Sequence, residues 1–246
     1  MTNYEFLQLS VEEGVATIVL NRPPANALNA QMTYELFQAA VHCSATPAIR
    51  AVVLTGAGKL FCAGGDLPEF AAADNLDAHL KVMTTHLHAA VSRFARMDAP
   101  LIGAINGTAG GAGFSLACAC DVTLAAESAK FTLAYTAAGL TPDGSSTYHL
   151  PRLVGLRRAV ELALTNRRLS AAEALEWGLV NRVVPDDQLL AEAHKLARQL
   201  AQGPTAAFGA TKRLLANALN ESLETQMENE AQSIIAIGKT ADAQEG

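Results

Sequence analysis

The chain has 246 residues, 50% of them hydrophobic and 17% charged, a balance that supplies a sizeable core and suits one large α/β domain with or without a helical appendage. Its 18 Lys and Arg against 24 Asp and Glu leave a formal net charge of −6, the wrong sign for a dedicated nucleic-acid binder. The 4 cysteines (Cys43, Cys62, Cys118, Cys120) form no C-x-x-C pair and have no histidine at zinc-finger spacing, so reduced thiols are expected in place of a disulfide framework or a metal site.

Residues 1–6 (MTNYEF) carry neither a basic nor an apolar signal region, so no export or import is signalled and a cytoplasmic protein is expected. Residues 5–20 read as a hairpin: Phe6, Leu7 and Leu9, a turn at Glu12, Glu13 and Gly14, then the β-branched run 15–20. Asn29 is placed to cap a helix with apolar positions Met32, Leu36, Phe37, Ala40 and Val41, and residues 49–54 return to strand character. A long helix over 76–97 stops before Pro100, and a strand over 101–105 runs into a glycine loop and a helix over 114–120.

Residues 101–120 have no charge over nearly a bilayer-spanning length, but Gly103, Gly107, Gly110, Gly111 and Gly113 interrupt them, so a buried strand, loop and helix fit better than a membrane span. Short strands follow at 122–125 and 130–133, and residues 139–144 (GLTPDG) are turn chemistry throughout. Ser170 and Glu173 have capping-box spacing, Gly178 sits where that helix would stop, and a strand is expected over 179–184. Beyond Asp186 only helix signals remain, at 189–201, 204–218 and 223–237; such a region cannot bury its apolar faces alone and must dock on the core or on other subunits. The expected division is an α/β core over 1–190 and a helical region over 191–246.

Two segments, 61–67 (FCAGGDL) and 106–113 (NGTAGGAG), each follow a strand-like run and open a helix. Helix starts present free backbone N–H groups, and two such sites folded together hold one oxyanion between them. Gly65 is the first donor, and Ala112, or else Gly111, the second. The same glycines also suit plain close packing of helix on strand.

Among the carboxylates between 101 and 150, Asp121 and Glu127 adjoin strands and read as structural or solvated. Asp143 stands in an otherwise uncharged stretch and reads either as an Asp-Gly turn residue or as a catalytic acid. Two rival motifs are weaker. Residues 113–117 (GFSLA) lack the final glycine of a nucleophile elbow, so a triad of Ser115, His149 and Asp143 is disfavoured. His79, His86 and His88 share one polar helix without a completing carboxylate, which fits a solvated or interface helix better than a metal site.

The segments 21–28 (NRPPANAL), 54–58 (LTGAG), 61–67, 104–113, 121–125 (DVTLA), 140–143 (LTPD), 150–155 (LPRLVG) and 169–184 together resemble the enoyl-CoA hydratase/isomerase (crotonase) superfamily over nearly the whole chain. The nearest motif resemblance is to isomerases of the phenylacetate-pathway type. The resemblance implies an α/β spiral of β-β-α units with a C-terminal helical trimerisation region, and a homotrimer or dimer of trimers. It also implies an acyl-CoA thioester held in a two-amide hole at Gly65 and Ala112. Coenzyme A is then part of the substrate, with no further cofactor, no metal, no nucleic acid and no membrane partner. Arg22, Ala25, Ala27, Leu28, Ala63, Gly64, Asp66 and Leu67 match the loops that hold the coenzyme, with Gly111 and Tyr135 toward the acyl end. Members of the family usually continue with a further helix beyond the segment matching residues 240–246, so the helical region over 191–246 reads as truncated relative to them.

The departures lie at the chemical end. Hydratases of the family carry two glutamates that activate water, and this sequence has Ser115 and Tyr135 at the matching positions. Neither is an ordinary general base at neutral pH. Asp143 matches the acid of the isomerase members, so the resemblance implies a double-bond shift through an enolate with Asp143 as acid and base. The alternatives are a hydratase in which Asp143 alone activates water, a member adapted to aromatic or branched acyl groups, and a silent acyl-CoA binder. RNA binding is disfavoured by the net charge.

Overall fold

The computed structural model describes residues 4–245; residues 1–3, on which part of the amino-terminal reading rests, and Gly246 lie outside the described residues. β1 (Leu7–Glu12) and β2 (Val15–Leu20) form the expected antiparallel hairpin, pairing Leu7 with Leu20 and Glu12 with Val15. Glu13 and Gly14 at the turn have φ of 49° and 78°, the left-handed pair whose twist matches that of the strands. The helix that follows, α1 (Ala30–Ala45), starts where Asn29 accepts the Met32 amide at 2.8 Å.

Three β-β-α units then repeat. β3 (Ala51–Gly56) and β4 (Leu60–Cys62) precede α2 (Leu67–Ala72) and α3 (Leu76–Arg96); β5 (Leu101–Ile105) and β6 (Thr108–Gly110) precede α4 (Ala112–Cys118). β7 (Val122–Ala126) and β8 (Lys130–Thr132) precede a 3-10 turn, α5 (Ser146–Val154) and α6 (Leu156–Thr165). β9 (Leu169–Ser170), α7 (Ala171–Glu176) and β10 (Arg182–Val184) close the sheets. Within the described residues the strands make a six-stranded sheet, β1-β2-β3-β5-β7-β10, and a four-stranded one, β4-β6-β8-β9. The first strand of each unit joins the large sheet and the second the small one, which is the expected α/β spiral. The central strands β3 and β5 are buried almost throughout, which explains why their sequences are apolar without alternation.

The differences from the sequence reading are local. β4 and β6 lie inside segments expected to be loop, and β9 was not expected at all. Each has only two or three residues, too few to show a period. The fourth helix begins at Ala112, two residues before the expected start. The strand expected from 179 begins only at Arg182, because the Leu179 and Val180 amides turn back onto Ala174 O. Asn181 clips β7 instead, its N–H to Thr123 O and its side chain to Thr123 N.

The carboxy-terminal helices are α8 (Leu189–Ala201), α9 (Thr205–Asn217), α10 (Leu223–Ile237) and α11 (Ala241–Glu245). α8 lies across β2, β3, β5 and β7, burying Leu189, Ala193, Ala197 and Ala201 along one stripe. α9 is pinned by Lys212, whose Nζ meets Asp121 Oδ2 at 2.6 Å and donates to Phe94 O and Ala99 O. α10 rests on α9 and buries none of its side chains. Among the described residues no helix is long and apolar enough to cross a membrane, and the uncharged stretch from 101 folds into β5, β6 and α4.

Candidate active site

The 22–28 loop braces the first glycine segment strand-fashion. Leu28 N–H donates to Gly64 O at 2.7 Å and Asp66 N–H to Leu28 O at 2.9 Å, while Ala63 N–H reaches Ala25 O at 3.0 Å. Gly64 takes φ of +107°, open to glycine and strained for other residues. That conformation leaves the Gly65 N–H without an acceptor in the chain among the described residues. Asp66 then caps α2, accepting the Glu69 amide at 3.2 Å.

The second segment comes against the first. An added Cβ on Gly113 would stand 2.3 Å from Cys62 O, so here the glycine serves the close helix-on-strand approach left open in the sequence. Gly64 in turn lies against the backbone of Gly110, Gly111 and Ala112. Gly111 spends its N–H on Thr132 O at 3.1 Å, which leaves Ala112, the first residue of α4, as the amide without an acceptor in the chain. Gly65 and Ala112 border one cavity of about 330 Å³.

Leu28, Ala63, Gly64, Leu67, Gly111, Tyr135 and Asp143 also line that cavity. Arg22, Ala25, Ala27 and Asp66 do not. The Arg22 guanidinium pairs with Asp66 Oδ2 at 2.5 Å and donates to Ala27 O at 3.0 Å, so it ties the two loops together and faces a carboxylate. Cys62 is buried beneath the loop, and burial pushes its thiol up to about 12, which removes it as a nucleophile at neutral pH.

Asp143 is held by its own carbonyl. Ser115 Oγ donates to it at 2.6 Å, Ser146 Oγ at 3.0 Å and Tyr135 OH at 3.2 Å. Ser115 and Tyr135 are themselves 3.1 Å apart. Burial, with the nearby Asp143 charge, pushes the Tyr135 phenol above its ordinary value of 10, so it remains a neutral donor. The nucleophile-elbow triad does not form, because the hydrogen bonds of Ser115 Oγ go to Asp143 O, Gly111 O and Tyr135 OH and not to an imidazole.

The three histidines of α3 take three different partners. His79 stands 3.5 Å from Glu69, His86 packs against the rings of Tyr34 and Phe37, and His88 Nε2 lies 2.5 Å from Asp143 Oδ1. Among the described residues no cluster of three metal-ligating side chains exists. The sequence reading missed His88 as a member of the site. Its signal was helical spacing, since His88 follows Leu80, Met83, Thr84 and Leu87, all of which line the cavity. Asp143 Oδ2 meets no partner among the described residues.

Apolar walls from α3 and the 134–142 segment, two free amides and one carboxylate with a free oxygen make a site suited to a thioester whose carbonyl gains negative charge. A family model described as enoyl-CoA hydratase/isomerase matches residues 10–246. The 4-chlorobenzoyl coenzyme A dehalogenase-2 of Arthrobacter sp. is 40% identical over 233 residues, covering 93% of this chain and 84% of that protein. The 1,2-epoxyphenylacetyl-CoA isomerase of Escherichia coli strain K12 is 40% identical over 248 aligned positions, covering 98% of this chain and 94% of that protein. The crystal structure of an enoyl-CoA hydratase from Bacillus anthracis superposes with a TM-score of 0.93 at 35% identity, over 98% of this chain and 94% of that one. The chain belongs to the enoyl-CoA hydratase/isomerase family, an acyl-CoA enzyme family built on the crotonase fold.

Proposed function

We propose that the protein shifts a double bond in an enoyl-CoA thioester. The Gly65 and Ala112 amides would hold the thioester oxygen, each donor contributing about 3 kcal/mol to the enolate. Asp143 would take a proton from one carbon through Oδ2 and return it two carbons along, a 1,3 shift that consumes no water. The observation that carries this reading is that Asp143 borders the same cavity as two amides without acceptors. Ser115 and Tyr135, where a water-activating pair of glutamates is expected, bond the Asp143 carbonyl instead. The residues of the 22–28 loop, with Ala63 and Leu67, would carry the coenzyme arm. Incubation with a 3-enoyl-CoA and a 2-enoyl-CoA tests this: conjugated thioester should form from the first, and little 3-hydroxyacyl product from the second. The reverse preference would make the protein a hydratase, and binding without turnover a silent acyl-CoA binder.

One observation favours a second reading. An imidazole 2.5 Å from the carboxylate can direct water at an activated ring carbon, so replacement of chloride by water on a 4-chlorobenzoyl thioester is the competing reaction; chloride release decides it.

We also propose that the chain self-associates as a homotrimer or dimer of trimers. Leu215, Leu219, Leu223 and Ile234 on α9, α10 and their connection are 71%, 73%, 69% and 73% exposed, an apolar face that a lone chain would rarely leave open. Ile234→Glu should lower the sedimenting mass. An acyl-CoA substrate and 4 free thiols, with Cys43, Cys62 and Cys118 buried and Cys120 half-buried, fit a reducing, cytoplasmic setting.

A further inference from the structure

The two oxygens of Asp143 face different surroundings. Oδ1 lies 2.5 Å from His88 Nε2, and Oδ2 has no partner among the described residues. Asp143 lines the inner cavity with Gly65 and Ala112, whereas His88 is absent from that wall. It lines instead a second cavity of about 600 Å³ between α3, α5 and α9, together with Arg96, Ser145, His149 and Arg213. The His88 side chain is 53% exposed, so solvent reaches it. Ser145, in the outer wall at a φ of 73°, has a buried Oγ with no hydrogen-bond partner in the chain. The outer cavity has room for water, for which that hydroxyl is an available partner. The carboxylate therefore stands between the inner cavity and an outer one that solvent reaches, with one imidazole on its outer side.

We infer that His88 is a positioning residue that connects the proton on Asp143 to solvent in the outer cavity. The inference rests on the proposed proton shift by Asp143. After the C–H bond breaks, the proton is on the carboxyl and the electron pair is in the enolate. Two fates are then open. The acid returns the proton to the distal carbon, or His88 first sheds to water the Nε2 proton that held the resting carboxylate and takes one at Nδ1, after which the carboxyl turns about its Cβ–Cγ bond and passes its proton to the vacated Nε2. The imidazolium so formed releases its other N–H proton to water, and the reverse path brings a solvent proton to Asp143 before the enolate is quenched. No oxidant or further reactant is needed. The same contact fixes the carboxylate with Oδ2 toward the substrate, so His88 acts on geometry and on proton traffic while touching no substrate.

Isotope partitioning separates this from a purely structural role. The unaltered protein, His88→Gln and His88→Phe would each convert a 3-enoyl-CoA in deuterium oxide, with product mass read at low conversion and thermal melting read in parallel. The amide of His88→Gln still bonds Asp143 and cannot carry a proton onward. It should isomerise with unchanged KM, while the fraction of product bearing solvent deuterium falls severalfold. His88→Phe should show the same isotopic fall with a lower kcat, because the carboxyl is no longer held. An active His88→Gln with the deuterium content of the unaltered protein overturns the inference alone. A folded, thioester-binding His88→Gln without turnover also overturns it, by making His88 essential to the chemistry itself. Absence of isomerisation by the unaltered protein overturns the proposed function, and this inference with it.

Discussion

Ser115 Oγ donates to the carbonyl of Asp143 at 2.6 Å from the first turns of α4. The same helix supplies the Ala112 amide, so one rigid element sets both the amide proposed to hold the thioester oxygen and the height of the proposed acid. Ser115 is fully buried and does not line the cavity. Ser115→Ala should lower kcat about tenfold, the worth of one lost hydrogen bond in a positioned site. Affinity for a saturated acyl-CoA should stay unchanged. An equal loss in affinity would show that Ser115 supports binding in general.

Gly113 lies where α4 meets β4. A methyl added there would stand 2.3 Å from Cys62 O, a backbone atom that cannot rotate away. Gly113→Ala should cost about 2 kcal/mol of stability by denaturant unfolding. It should also weaken turnover, because the Ala112 amide moves with the helix. An unperturbed midpoint would mean that the contact relaxes freely.

Lys212 docks α9 on the core. Burial pushes the Asp121 carboxyl up, and the Lys212 ammonium opposes that rise. Lys212→Met leaves the partly exposed Asp121 carboxylate with the Leu101 amide as its remaining partner, and stability should fall by about 1 kcal/mol. Adding Asp121→Asn should recover part of the loss. A double variant no better than the single one would show that the carbonyl contacts to Phe94 and Ala99 carry the docking.

Two histidines set an acid limit on the fold. His149 is held below its ordinary 6.5 by burial and then by Arg152. His194 is lowered by burial and then by Arg198, with Glu12 opposing. A folded value below the unfolded one means that the unfolded chain binds protons more readily, so this contribution is complete above 6.5 and is lost as pH falls toward the folded values. The urea midpoint should drop between about pH 8 and about pH 5, and His149→Phe should flatten the drop. An identical slope in that variant would assign the acid sensitivity to other groups.

Much of the fold was legible because caps and periods coincide. Asn29 and Ser170 start helices where their spacing places them, with the Ser170–Glu173 capping box intact. β4, β6 and β9 were not legible, since strands this short owe their pairing to neighbours distant in sequence. The site divides the same way. Glycines announce where backbone amides come free, because only they permit the turns. The partner of Asp143 lies 55 residues away on α3; helical spacing sets His88 beside the cavity-lining residues, but nothing in it says that the 139–144 turn comes against that helix. Arg22 is paired with Asp66 of the neighbouring glycine loop, a contact that spans 44 residues and leaves no local pattern in the sequence.

The central claim is that one carboxylate moves the proton. Asp143→Asn keeps the shape of the side chain and removes its capacity to accept a proton from carbon. Turnover of a 3-enoyl-CoA should fall by about 10² to 10⁴, with binding of a saturated acyl-CoA retained. Turnover close to that of the unaltered protein would contradict the claim.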